Sequence, residues 1–149
     1  MKILVAMDSF KGSLTATEAC DAVEQGIKAV DENIEVIKKP IADGGEGTVE
    51  TLIKALEGQK IFLEVNDPLM RKIETYYGIA NNKTAIIEMA LASGLTLLKE
   101  DERNPLFTTT YGVGEIIKNA LDRGVRDFII AIGGSATNDA GMGMLSALG

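Results

Sequence analysis

The sequence predicts an α/β fold with a Rossmann-like parallel sheet and helices, interrupted by the start of a second α/β subdomain. Three observations predict it. Apolar runs at residues 3–7 and 128–132 have the unbroken hydrophobicity of strands buried on both faces of a parallel sheet. A glycine-containing loop and a helical pattern follow each run. The stretch between residues 67 and 102 departs from this strand–helix alternation.

The first part of the chain is predicted to contain two strand–loop–helix units. Thr15 fits the N-cap of the first helix, with Glu18 reaching back to complete a capping box. Residues 34–41 predict a second strand. Apolar residues at helical spacing from Val49 predict a second helix that ends at Gly58, and the alternating pattern of residues 61–65 predicts a strand.

The middle and last parts are predicted to differ from each other. Residues 72–79 and 84–90 predict two antiparallel strands, joined by a loop with two Asn residues that tolerate positive φ, Asn81 and Asn82. Residues 93–105 are expected to be irregular or briefly helical. An apolar stripe over 113–121 predicts a helix closed by Arg123-Gly124, and residues 142–148 predict the start of another. The predicted segments are 1–66, 67–102 and 103–149.

Composition excludes several classes of function. The chain has 149 residues, a net charge of −7, one cysteine and no histidine. The acidic balance disfavours nucleic acid and anionic membranes as partners. Without histidine, Ser–His hydrolysis and His-ligated zinc are excluded for this sequence. No apolar run approaches bilayer length, so we expect a cytoplasmic location.

The first candidate loop spans residues 8–13. Lys11 is a candidate phosphate-binding cation, and Asp8, at the strand tip, is a candidate general base or Mg²⁺ ligand. A solvated turn with no ligand is the alternative. Loops that follow parallel strands gather at the carboxyl edge of the sheet, where helix N-termini favour anions.

The second candidate loop, residues 43–48, has three glycines that let a ligand approach the backbone. Asp43 and Glu46 suit a hydrated Mg²⁺ held together with substrate phosphates. The alternative is a tight turn whose carboxylates stabilise the next helix N-terminus.

The third candidate loop, residues 133–139, is rich in small donors and backbone amides. Ser135, Thr137 and Asn138 are candidate phosphate ligands and Asp139 a candidate metal ligand, with ordinary helix capping as the alternative. The hydroxyl-rich segment 108–111 offers Thr109 and Thr110 to a ligand, although Thr110 equally fits a helix N-cap.

Two common phosphate motifs are not found. No G-x-x-x-x-G-K-[ST] occurs, which argues against a Walker-type ATPase. Gly112 and Gly114 begin a G-x-G pattern, but Ile117 stands where a dinucleotide-binding loop needs its third glycine.

Seven motifs in order resemble the glycerate kinase type I family. They are DSFKGSL (8–14), PIADGGEGT (40–48), IEMA (87–90), ASGL (92–95), NPL (104–106), TTTYGVGE (108–115) and IGGSATND (132–139). The resemblance implies a two-domain enzyme that uses ATP and Mg²⁺ to phosphorylate D-glycerate, usually to 2-phosphoglycerate. Members of the family are more than twice this length, so we expect the chain to be an N-terminal portion. Ala140 stands where the family more often has glycine.

The resulting hypothesis assigns catalytic roles to Asp8, Lys11 and Asp43, with Asp8 or Asp43 as the base, and metal binding to Asp43, Glu46 or Asp139. The residues expected to bind substrate or phosphate are Ser9, Ser13, Gly44, Gly45, Arg71, Arg103, Thr109, Thr110, Gly133, Gly134, Ser135, Thr137 and Asn138. Among them, Arg71 and Arg103 are the candidates for the glycerate carboxylate. The alternatives are a non-catalytic module that binds a small anion or nucleotide, and a fragment without a function of its own.

Overall fold

The computed structural model describes residues 1–81 and 83–149 and has a mixed α/β architecture, as the sequence predicts. Short 3₁₀ turns lie at Leu95–Leu97 and Glu100–Glu102. The elements in chain order are β1 (Lys2–Val5), α1 (Ala16–Val30), β2 (Glu35–Lys38), α2 (Thr48–Ala55), β3 (Gln59–Asn66), β4 (Lys72–Ala80), β5 (Thr84–Glu88), α3 (Ala90–Ser93), α4 (Tyr111–Asp122), β6 (Asp127–Ala131) and α5 (Met142–Leu148).

The described strands form two sheets. β1 and β2 pair in parallel, while the second sheet has the order β3-β4-β5-β6, with antiparallel β3–β4 and β4–β5 pairs and a parallel β5–β6 pair. The predicted antiparallel pairing of β4 with β5 is thus confirmed; Asn82 of their loop lies outside the described residues. The second sheet takes strands from all three predicted segments, whose boundaries stay a prediction.

The antiparallel pairing of β3 follows from the tight turn after it. The carboxylate of Asp67 is 2% exposed and accepts hydrogen bonds from the backbone N–H groups of Leu69 and Arg71 at 2.8 and 2.9 Å. These bonds stabilise a reversal of the chain, so β4 returns beside β3 as in a hairpin.

Helix α1 begins as predicted. Thr15 Oγ1 accepts a hydrogen bond from the Glu18 backbone N–H at 3.2 Å, and Glu18 Oε2 accepts one from the Thr15 N–H at 2.8 Å. This capping box satisfies two N–H groups that the helix itself leaves unpaired. Helix α2 ends at Ala55, three residues before the predicted Gly58, because Glu57 adopts a left-handed φ of 52° and the Gly58 N–H bonds back to the Ile53 carbonyl at 2.9 Å.

Helix α4 covers the four-stranded sheet and forms the main core. Its predicted apolar stripe is buried except for the partly buried Leu121, and Val113 and Ile116 are fully enclosed. A Cβ atom on Gly112 would lie 2.0 Å from the carbonyl oxygen of Asn66, and one on Gly114 would lie 2.3 Å from that of Met144. These glycines therefore serve close packing of α4 against β3 and α5.

Among the described residues, none of the helices combines the length and apolar character needed to cross a bilayer.

Candidate functional site

Two adjoining cavities, of about 460 and 350 Å³, open between the predicted loops. We call them the first and second cavity, and together the cleft. Both are lined by Ser9, Lys11, Glu46, Glu88 and Leu91. The volumes fall within the usual range for small-molecule sites.

The first loop supplies a side of each cavity. Residues 8–14 make a tight turn in which Phe10 and Leu14 exchange backbone hydrogen bonds of 2.8 and 3.0 Å. The exposed Lys11 lies at the tip of this turn and lines both cavities. Asp8 lines the second cavity, and its Oδ1 accepts a 2.6 Å hydrogen bond from the Ser9 N–H. Ser13 lines the first cavity.

The second loop joins the cleft to the start of α2. Asp43 and Gly45 line the second cavity, and Glu46 lines both. The Oδ1 atom of Asp43 accepts a 2.9 Å hydrogen bond from the Gly45 N–H, which closes a local turn. Asp43 and Glu46 are exposed, so their carboxylates are available to a ligand.

The third loop packs directly on the second. The Gly133 N–H donates a 2.8 Å hydrogen bond to the Gly44 carbonyl, and a Cβ atom on Gly133 would lie 2.6 Å from Gly45 Cα. Only glycine allows this approach. Gly133 and Gly134 line the second cavity, so all three predicted loops meet at the cleft.

Other predicted residues of the third loop bond locally instead. The hydroxyls of Ser135 and Thr137 are 2.8 Å apart, and the Thr137 N–H donates to Ser135 Oγ at 3.1 Å. Neither residue is among those that line the two cavities, and the same is true of the exposed Asn138.

Asp139 lies at the junction of α4 and α5. Its carboxylate accepts hydrogen bonds from the backbone N–H groups of Thr110, Gly143 and Gly141 at 2.8, 3.0 and 3.1 Å, and from the Thr110 hydroxyl at 2.9 Å. Burial acts to raise the pKa of Asp139, but the hydrogen bonds outweigh it and hold that pKa below its ordinary value. A metal-binding role for Asp139 stays a prediction.

The predicted threonines take part in the same junction. Thr110 occupies the N-cap position of α4, but its hydroxyl bonds Asp139 and accepts from the Met144 N–H at 2.9 Å. Thr109 Oγ1 accepts from the Tyr111 N–H at 3.2 Å. Neither threonine is among the residues lining the cleft.

The predicted carboxylate-binding arginines are also outside the cleft lining. Arg71 Nε donates to Asp67 at 2.6 Å, and its Nη1 donates to Glu102 at 2.7 Å. Arg103 is exposed. Roles for both arginines in binding glycerate stay predictions.

Glu88 is a cleft residue for which the sequence predicted no role. It ends β5, is 2% exposed, and lines both cavities. Its carboxylate accepts hydrogen bonds from the Gly47 and Val49 N–H groups, each at 3.3 Å. Burial raises the pKa of Glu88, and these hydrogen bonds offset the effect only in part. The available signal was an acid directly after the apolar residues of a buried strand.

A second group beside the cleft links α2 to β4. The Tyr76 hydroxyl donates to Glu50, and Lys60 Nζ lies 2.7 Å from the same carboxylate and 4.0 Å from the centre of the Tyr76 ring. Burial of Tyr76, together with its bond to Glu50, raises the pKa of its hydroxyl. Glu50 and Tyr76 line the first cavity.

The cleft can contribute to a magnesium site without forming one alone. Among the described residues, no three Asp, Glu, Cys or His side chains are grouped closely enough to hold a metal ion. Mg²⁺ is usually held by one or two carboxylates with waters and substrate phosphates. Asp43 and Glu46, both exposed at the second cavity, fit that mode.

Comparison with known proteins identifies the family. The glycerate kinase family model matches residues 3–149. The whole chain is 56% identical to a glycerate kinase of Haemophilus influenzae and covers 40% of it; it is 49% identical to the glycerate 2-kinase of Escherichia coli and covers 39% of it. A crystal structure described as glycerate kinase 2 from Salmonella typhimurium LT2 matches all of the chain with a TM-score of 0.83 at 49% identity, over 40% of that protein. The chain spans about 40% of the length of these relatives, corresponds to their N-terminal portion, and belongs to the glycerate kinase family.

Proposed function

We propose that this chain is the N-terminal portion of a kinase that transfers a phosphoryl group from ATP to D-glycerate, giving 2-phosphoglycerate. The observation that carries the proposal is the meeting of the three family-like loops at one cleft, with Lys11 between its two cavities. The relatives named glycerate kinase support the choice of substrate. The partners are then small molecules, and a cytoplasmic location belongs to the same proposal.

The charges of the cleft support a cation-dependent reaction. In the described part of the chain, Lys11 is the one cationic side chain that lines the two cavities, and six carboxylates accompany it. The six are Asp8, Glu18, Asp43, Glu46, Glu50 and Glu88. ATP and glycerate are both anions, so a further positive charge is needed to balance them. Mg²⁺, when bound, supplies that charge on the phosphate oxygens.

Each residue has one proposed role. A glycerate hydroxyl oxygen forms a bond to the γ-phosphorus of ATP while the bond between that phosphorus and the leaving ADP oxygen breaks. Lys11 neutralises charge on the phosphoryl group in transfer, and Asp8 takes the proton of the attacking hydroxyl. Asp43 and Glu46 hold the metal, and backbone amides of Gly133 and Gly134 contact phosphate. Such reactions depend mainly on positioning and charge neutralisation.

The test is a chimera in which this chain replaces the matching 40% of the Haemophilus influenzae glycerate kinase. We expect the chimera to convert D-glycerate and ATP to 2-phosphoglycerate, identified by ³¹P NMR. The 149-residue chain alone should bind these substrates without turnover. A folded chimera without activity, beside an active parent enzyme, contradicts the proposal. Formation of the 3-phosphate contradicts the assigned product only.

Replacing Lys11 by methionine in the chimera should lower kcat/KM by about a hundredfold or more, because a charge contact to the transferring group is lost. Lys118→Met, at an exposed position of α4, is the matched control and should change kcat/KM less than twofold. Steady-state kinetics with saturating Mg²⁺ provide the measurement. An effect of Lys11→Met below threefold would remove Lys11 from the site.

A further inference from the structure

Glu88 occupies a central position at the floor of the cleft. It is the last residue of β5, and it pairs in register with Ala131 at the end of the parallel strand β6. Gly133 of the third loop follows two residues later. The Glu88 carboxylate is therefore fixed at the carboxyl edge of the β5–β6 pair, between the second and third loops, and borders both cavities.

The hydrogen-bond partners of Glu88 are all donors. Its two oxygens accept from the N–H groups of Gly47 and Val49, which are 41 and 39 residues away in the sequence. A carboxylate offers an acceptor to each N–H, whereas the side-chain amide of glutamine has one acceptor and one donor group. The carboxylate therefore attaches the second loop to the sheet in a way that its closest uncharged analogue cannot reproduce.

We propose that Glu88 is a positioning residue that holds the second loop, residues 43–48, in the conformation that presents Asp43 and Glu46 to the second cavity. The inference rests on the proposed function for its consequence in catalysis, but its structural content stands apart from it. Two contacts attach the loop to the rest of the fold. The Gly47 N–H donates to Glu88 at the end of β5, and the Gly133 N–H donates to the Gly44 carbonyl at 2.8 Å. Removing the first attachment takes away the two hydrogen bonds that fix the backbone where the loop enters α2, and leaves the packing of Val49 against Ala80 and Ile86 to hold that end of the loop.

The first test uses the chain itself. In Glu88→Gln, amide hydrogen exchange at Gly47 and Val49, followed by NMR, should become at least about tenfold faster at one or both positions. Glu32→Gln, which changes an exposed glutamate after α1, is the matched control and should leave both rates unchanged. Glu88→Asp keeps two acceptors on a shorter side chain and should restore part of the protection. Unchanged exchange in a folded Glu88→Gln chain overturns the inference.

The second test uses the chimera and a readout that general destabilisation does not move. Glu88→Gln should raise the Mg²⁺ concentration for half-maximal activity by about tenfold, and Glu88→Asp should recover part of it, with assays run well below each melting temperature. An unchanged Mg²⁺ requirement overturns the proposed role of Glu88. If the chimera itself is inactive, the proposed function fails while the exchange measurement still decides the attachment of the loop.

Discussion

Glu88 and Asp139 bind the same positions of two different helices, yet their acidities move in opposite directions. Glu88 accepts from the N-cap and second residue of α2, Gly47 and Val49. Asp139 accepts from the equivalent positions of α5, Gly141 and Gly143. Burial raises the pKa of Glu88, whereas the pKa of Asp139 lies below its ordinary value although burial opposes it.

Thr110 accounts for much of the difference. Its backbone N–H and its hydroxyl add two donors to Asp139, at 2.8 and 2.9 Å, while the bonds from Gly47 and Val49 to Glu88 are each 3.3 Å long. The two acids also differ in burial, because Glu88 is 2% exposed whereas Asp139 is only partly buried. A helix N-terminus alone is therefore not enough to keep a carboxylate strongly acidic; the degree of burial and the number and length of the hydrogen bonds together set its pKa. The well-bonded acid joins two helices, and the weakly bonded one borders the cleft.

Of substitutions at Asp139 and Glu88, Asp139→Asn should cause the larger loss of stability. The amide cannot accept from all the donors around it, so we expect a loss of about 2–3 kcal/mol and a melting temperature about 8 °C lower. Thermal unfolding followed by circular dichroism provides the measurement. Asp101→Asn, at an exposed position, should stay within about 0.5 kcal/mol of the unchanged chain. If Asp139→Asn were equally neutral, the junction would not depend on this carboxylate.

The pH dependence of stability should separate the two acids. Because the folded pKa of Asp139 is lowered, its contribution is complete above its ordinary value of 3.8 and is lost as pH falls through the folded value. The folded pKa of Glu88 is raised, so its contribution is present below 4.5 and is lost as pH rises through the folded value.

Urea unfolding across this range measures both slopes. The stability difference between the unchanged chain and Asp139→Asn should shrink on acidification below about pH 4. As pH rises above about 4.5, the free energy of unfolding of the unchanged chain should fall relative to that of Glu88→Gln. Glu50, Tyr76, Lys11 and Glu46 also face the region of Glu88, so the same titration in Glu32→Gln serves as the baseline. Parallel slopes for the two acids would remove the contrast between them.

The sequence predicts what depends on neighbouring residues and misses what depends on distant ones. The capping box of Thr15 and Glu18 spans four positions. Both of its hydrogen bonds join residues three apart in the sequence, so the pattern alone identifies it. The three glycine-containing loops are recognisable for the same reason. The partners of Glu88, about 40 residues away, become neighbours only when β5 and α2 pack together.

Arg71 shows how distant partners change an interpretation. As a cation in a loop it is a reasonable ligand for a carboxylate substrate, but the fold brings Glu102, 31 residues away, against its guanidinium. Asp67 is only four residues from Arg71, so the sequence shows that the two are neighbours. The almost complete burial of Asp67, however, follows from the hairpin between β3 and β4. Charge and spacing identify Arg71 as a carboxylate-binding residue, and tertiary packing decides which carboxylates are close to it.

Ala140→Gly should give the smallest change in stability. It should affect the junction around Asp139 and leave the region of Glu88 unchanged. Ala140 has a φ of 52°, a left-handed conformation that glycine adopts without the strain of a Cβ atom. We therefore expect a gain of about 0.5–1 kcal/mol, measured by urea unfolding. Ala22→Gly, at an exposed helical position of α1, is the opposite control and should cost about 1 kcal/mol. A loss of stability in Ala140→Gly would mean that the alanine, by restricting the unfolded chain, stabilises the folded state by more than its left-handed conformation costs.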